Sequence, residues 1–77
     1  MEIIYREYAL LQMRERRIRA EHVRFVLDNG EIVGYSHDSV GERWRARFLG
    51  RAITVVVEWL SADAALVRTV WDLGSIL

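Results

Sequence analysis

From Arg43 to Phe48 apolar and charged residues alternate without a break: Trp44, Ala46 and Phe48 on one parity, Arg43, Arg45 and Arg47 on the other. A period of two belongs to an extended strand whose side chains point alternately to opposite faces. Ile53, Thr54, Val55, Val56 and Val57 then form a β-branched run, the composition that strands favour. Between the two, Gly50-Arg51 fits a two-residue loop of type II′, with glycine at the first central position, where φ is positive. Closing the hairpin there sets Phe48 opposite Ile53, Ala46 opposite Val55 and Trp44 opposite Val57. On the reverse face it sets Arg47 against Thr54, Arg45 against Val56 and Arg43 against Glu58. Directly opposed residues share a face, so apolar meets apolar and the arginines line the other side.

The remaining elements follow from local patterns. Residues 1 to 4 fit either an extended start or an early helical turn. Tyr5 to Arg17 is rich in helix formers and free of Gly and Pro. Its inward stripe is Tyr5, Ala9 and Met13, flanked by Leu10, while Leu11 falls well away from it. Such a helix is buried on more than one side or meets a partner. A break at Arg17-Ile18-Arg19 leads to a second helix, Ala20 to Asp28, with Ala20, Val23 and Leu27 inward and Val26 beside them. Asn29-Gly30 stops it, since both residues tolerate a left-handed cap. Phe25 points away from the inward stripe and reads either as packed under a loop or as an interface aromatic. A strand from Glu31 to Tyr35 or His37, a loop from Ser36 to Glu42, the hairpin, a turn at Ser61-Ala62-Asp63 and a last strand from Leu66 to Trp71 complete the order. Asp72 to Leu77 reads as a short tail.

The expected fold is α+β: two N-terminal helices on one face of a three- to four-stranded antiparallel sheet, one domain over residues 1–77. Two short helices cover one face, so Trp44, Phe48, Ile53, Val55 and Val57 pack beneath them. Val67, Thr69 and Trp71 of the last strand are expected to join that apolar side. The other face stays open and carries Arg43, Arg45, Arg47, Arg68, Glu58 and Thr54, with Leu66, Val56 and Val70 among them. An open face with several guanidinium groups suits a phosphate backbone; the plainer reading is a solvated face with cross-strand ion pairs such as Arg43–Glu58.

Composition narrows the classes. A chain of 77 residues buries only about 60–65% of its unfolded surface, so an oligomer or bound partner is expected to add stability. It has no cysteine, which excludes disulfides and thiolate metal sites. Eleven basic residues balance eleven acidic ones, so any pull toward a polyanion is local. All eleven basic residues are arginine. A GC-rich coding bias explains that, and so does a need for bidentate phosphate contacts. Glu2 stands where a signal peptide carries positive charge, and no apolar run reaches membrane-spanning length. A cytoplasmic protein with no membrane contact is the expectation. Ser36, His37 and Asp38 hold the residue types of a hydrolytic triad, but adjacent residues do not point at one another. His22 and His37 without cysteine make a poor metal site, the scattered glycines form no phosphate loop, and no cofactor is expected. The second helix, with Glu21 and Asp28 against Arg24, is a poor major-groove reader.

The segment YREYALLQMRERRIRAEHVRFVLDNGEIV, the arginine-rich hairpin and the closing LVRTVW resemble a family of small bacterial domains grouped with the RelE- and BrnT-type ribonuclease toxins of toxin–antitoxin pairs. Its usual pattern is Thr-x-His-Ala, Arg-Met, Glu-Arg-Gly-Ile, a second helix with a central Val, and a closing Thr-Val-aromatic strand. Ala9, Met13, Glu15, Arg16, Ile18, Val23, Thr69 and Val70 match it, while Tyr8 stands for the histidine and Gln12 for the arginine before Met. The resemblance implies a RelE-like α-α-β-β-β-β fold, an antitoxin partner, and metal-independent RNA cleavage by the 2′-hydroxyl. Arg45, Arg47 and Arg68 would then stabilise phosphoryl charge, Glu58 or His37 would act as base, and Tyr8 would donate a hydrogen bond. Arg43, Arg45, Arg47 and Arg68 are the RNA-binding candidates. Two other readings stand beside it: a catalytically silent RNA- or protein-binding relative, and a homodimeric interaction module joined through Phe25 or through Val56 and Val70.

Overall fold

The computed structural model describes residues 1–73. The elements run β1 (Glu2–Tyr5), α1 (Glu7–Arg16), α2 (Ala20–Asn29), β2 (Glu31–Tyr35), β3 (Glu42–Phe48), β4 (Arg51–Ser61) and β5 (Ala64–Asp72). The strands make one mixed sheet in the order β1-β5-β4-β3-β2, with β1 parallel to β5 and the other pairs antiparallel. The fold is therefore α+β with two helices, as the patterning implies, but the sheet has five strands and not three or four. The added strand is the first four-residue segment, which pairs Glu2–Tyr5 with Ala64–Val67. Beyond residue 72, the expected tail lies largely outside the described residues.

The hairpin forms where expected, two residues out of the expected register. Its loop is Leu49-Gly50, closed by Phe48 opposite Arg51. Both loop residues have positive φ, 50° and 82°, the requirement of a type I′ turn, whose twist matches the flanking strands. Gly50 thus takes the second central position, and Trp44 faces Val55, Ala46 faces Ile53, Arg45 faces Thr54 and Arg43 faces Val56. A shift of two leaves every side chain on its expected face. The Arg43–Glu58 pair disappears.

On the helix side Ala9, Met13, Ile18, Val23, Val26 and Leu27 meet Ile53, Val55, Val57, Ala65, Val67 and Val70 in one buried cluster. Phe25 is no exposed aromatic: its ring meets Phe48 edge-on at 5.0 Å, beside His22 at 4.7 Å from the same ring. His22 also braces the start of α2, its Nδ1 accepting the Arg19 amide at 2.9 Å, half of a capping box.

Two helix ends depart from expectation for identifiable reasons. At the end of α1, Arg17 takes the left-handed conformation (φ 56°, ψ 45°). The Arg17 and Ile18 amides then reach the Arg14 and Met13 carbonyls at 3.3 and 2.8 Å. That is a Schellman closure with an arginine where glycine is favoured, and Ile18 buried after it. Arg51 reinforces the end, donating to the Arg16 and Arg17 carbonyls at 2.8 and 3.2 Å while pairing with Asp72 at 2.7 Å. At the end of α2, Gly30 is extended (φ −83°, ψ −175°) and not left-handed. Glycine stands there for space: a Cβ would lie 2.5 Å from the Val26 carbonyl oxygen and 2.6 Å from that of Arg45.

β1 stops at Tyr5, yet β5 continues to Asp72. Beyond Val67, whose carbonyl takes the Arg6 amide at 3.0 Å, the edge of β5 is met by α1. The Gln12 side-chain carbonyl accepts the Val70 amide at 3.2 Å and the Thr69 hydroxyl. A side-chain amide replaces the missing strand and satisfies a backbone donor that would otherwise be orphaned.

Candidate nucleic-acid interface

An irregularity in β5 builds the open face. Val56 pairs with Thr69 but Val57 with Val67, leaving Arg68 as an extra residue. A bulge of this kind puts two consecutive side chains on one side and inverts the alternation beyond it. Arg68 and Thr69 both reach the open face, Val70 turns into the core and Trp71 turns out to face Thr54. This corrects three expectations. Thr69 and Trp71 lie on the open side, not the apolar one, and Val70, fully buried, is no interface residue.

The result is an open groove of about 740 Å³. Val56 lies in its lining, with Thr69 and Trp71 on β5, Arg43 on β3, Arg6 and Tyr8 at the start of α1, and Ser36 and His37 in the β2–β3 loop. Val56 is only 6% exposed, too covered for the interface role considered for it.

The four arginines expected together differ in what each one meets. Arg43 is exposed and its guanidinium lies over Gly34, where a Cβ would come within 2.6 Å of Nη2 and make the guanidinium shift. Among the described residues it makes no ion pair, so it faces the groove uncommitted. Arg45 lies along the sheet and donates its Nε to the buried Thr54 hydroxyl at 2.9 Å. Arg47 is exposed opposite Ala52, near the hairpin end, and does not line the groove.

Arg68 lines the groove but is held. Its Nη2 and Nη1 lie 3.0 and 3.2 Å from the two oxygens of Asp38, a two-pronged fork. Asp38 also accepts from the Ser36 hydroxyl and from the Val40 amide at 3.0 Å. The Arg68 guanidinium first, then those two donors, hold the Asp38 carboxyl well below the usual carboxylate range. The loop closes on itself through the Gly41 amide, which donates to the Ser36 hydroxyl at 2.8 Å.

Glu58, a base candidate, sits between two cations, 3.6 Å from both Arg6 and Arg68. It holds those guanidinium groups from behind and is not part of the groove lining. Tyr8 stands at the rim, its hydroxyl accepting from Gln12 Nε2 at 3.1 Å. Tyr8, Gln12 and Thr69 therefore form one chain of contacts from α1 to the groove wall. His37 lines the groove within reach of the same space; His22 is on the far side of the sheet, against Phe48.

Sequence reasoning missed Arg6, Thr69 and Trp71 as groove residues. Arg6 comes to the sheet only because β1 pairs with β5, and the other two only because of the bulge. Among the described residues, no three of His, Asp and Glu gather as a metal-binding group, and no helix is long and apolar enough to cross a membrane. No family model, curated protein or solved structure matches this chain. The likeness to toxin domains thus rests on the motif residues alone.

Proposed function

We propose that this protein is a RelE-like toxin-type domain that binds single-stranded RNA in the sheet groove and cleaves it without a metal ion. The reading is carried by one observation: Arg6, Arg43 and Arg68 converge on a groove whose walls also carry Tyr8, His37 and Trp71. Guanidinium forks take phosphate oxygens, and aromatic faces take unstacked bases whatever their identity. Arg43, with no ion-pair partner among the described residues, offers its donors to an anion, while Arg68, forked to Asp38 and backed by Glu58, adds positive charge to the wall.

Cleavage would proceed by attack of a ribose 2′-oxygen on the adjacent phosphorus, expelling the 5′-oxygen and leaving a cyclic 2′,3′-phosphate. His37 takes the 2′-hydroxyl proton, solvent water protonates the departing 5′-oxygen, and Arg6 and Arg43 face the phosphoryl oxygens as their charge rises. Tyr8 donates to a non-bridging oxygen. The antitoxin partner covers this groove.

The experiment pairs binding with chemistry. Single-stranded RNA should bind with an affinity that falls steeply as salt rises, and 3′-labelled RNA should yield 5′-hydroxyl fragments. Expression alone should arrest growth, and His37→Ala should relieve it while RNA still binds. RNA that neither binds nor is cut ends the proposal.

A specific observation favours a second reading, a silent RNA-binding relative. Gln12 is fully engaged with Thr69, Val70 and Tyr8, and Arg68 with Asp38. Under that reading salt-sensitive binding appears and no fragments form.

A further inference from the structure

Glu7, Leu10, Leu11 and Arg14 recur at i, i+3, i+4 and i+7 along α1 and, with Tyr8 at one side, line one shallow hollow on its outer surface. Ala9 and Met13 face the core; Leu10 borders that face and Leu11 lies well away from it. The leucines remain 48% and 46% exposed. Two adjacent exposed leucines on an otherwise charged helix leave an apolar strip with no covering element among the described residues.

The stripe has a symmetry that selects its occupant. Glu7 and Arg14 are seven residues apart, about 10.5 Å along the helix, and their midpoint falls between Leu10 and Leu11. A two-fold axis through that midpoint pairs residue n of one helix with residue 21 − n of an antiparallel copy. Glu7 then meets the copy's Arg14 at each end, and Leu10 meets the copy's Leu11 at the centre. Neither Glu7 nor Arg14 has an ion-pair partner within the chain among the described residues. Opposite charges at both ends of a leucine pair make the surface complementary to itself, the condition for an isologous interface.

We infer that this protein forms a two-fold dimer by antiparallel packing of α1 on α1 of a second copy. The contact does not rest on the groove function, although Tyr8 borders both surfaces. It also accounts for the unusual helix: α1 has an inner face for its own core and an outer one for its copy. An interface of one short helix a side is well below standard size, so the dimer forms weakly and reversibly.

The test is sedimentation equilibrium of the full chain from micromolar to submillimolar concentration. The wild type should move from monomer to dimer across that range. Leu10→Ala with Leu11→Ala, which preserves helix propensity, should stay monomeric with unchanged circular dichroism. Glu7→Arg alone and Arg14→Glu alone each juxtapose like charges in their own dimers and should weaken association about tenfold or more. An equimolar mixture of these two variants restores both opposite-charge contacts and should dimerise more tightly than either alone. A wild type that is monomeric throughout, which leaves the stripe to a different protein, overturns the inference. So does a dimer unaffected by the alanine pair, or a mixture no tighter than its components.

Discussion

Beneath the helices, Ile53, Val55, Val57, Val67 and Val70 are fully buried by other hydrocarbon side chains. On the opposite face of the same sheet, Thr54 and Val56 are almost as inaccessible, yet among the described residues no helix lies there. Arg45 and Trp71 stand over Thr54, and Arg68 with Gly41 crowds Val56. The first face is sealed by shape, the second by long stems whose charged heads stay at the surface. Burial alone does not separate a structural face from a working one; what covers the buried atoms does. A hydrocarbon cover is fixed by packing, whereas a guanidinium cover can turn its donors toward a ligand and still shield the sheet.

The strongest way to break this contrast is to cut equivalent volume from each side. Val55→Ala should cost about 2–3 kcal/mol, a large share of the stability of a domain this small, measured by urea denaturation. Val56→Ala should cost clearly less, because arginine stems and water settle into the space. Equal losses would mean that the open face is as rigidly packed as the core.

Ligand binding should respond in the opposite sense. Arg6→Ala with Arg43→Ala should leave the unfolding midpoint nearly unchanged and lower RNA affinity about tenfold at physiological salt, with the salt slope flatter by about 0.7 per lost phosphate contact. Fluorescence anisotropy of a labelled oligonucleotide measures both.

A smaller effect sits at the edge of the helix side. Arg17→Gly removes a left-handed non-glycine residue and should stabilise by about 0.5–1 kcal/mol, after the greater freedom of glycine when unfolded is offset. RNA affinity should not move.

The smallest concerns Asp38. Asp38→Asn loosens the fork on Arg68 and should raise RNA affinity by a few fold. The carboxyl titrates lower in the folded chain than in the unfolded one, so its contribution to stability is present above the unfolded value of about 3.9. It is lost as pH falls through the folded value. The difference in urea midpoint between wild type and Asp38→Asn should hold from neutral pH to about 5 and narrow below about 4. A difference that instead grows on acidification would show that the fork does not stabilise the fold.

What the sequence could reveal follows from the range of each interaction. Both helices and the hairpin are local patterns, and alternation from Arg43 to Phe48 assigned the faces of β3 even with the turn misplaced, because an error of two residues preserves parity. β1 was undecided because its partner lies some sixty residues away, at Ala64–Val67, and four residues carry too little periodicity to reveal a parallel pairing. The bulge at Arg68 adds one residue to one strand, and one residue reverses every later assignment, which is why Val70 and Trp71 exchanged sides. For the site, the arginines of β3 were legible as a set, but their division was not. Whether a guanidinium is committed to Thr54, to Asp38 or to nothing depends on the loop from Ser36 to Gly41 and on Gly34 passing under Arg43.

Glu42 accepts the indole N–H of both Trp44 and Trp59, at 3.1 and 2.8 Å, and the two rings meet edge-on at 6.4 Å. These two fluorophores share one carboxylate on the helix side of the sheet, and the third tryptophan, Trp71, stands by itself in the groove. The molecule thus carries its own optical reporter. A ligand entering the groove should change the emission of Trp71 against the background of the coupled pair, so occupancy can be followed in solution without attaching a dye.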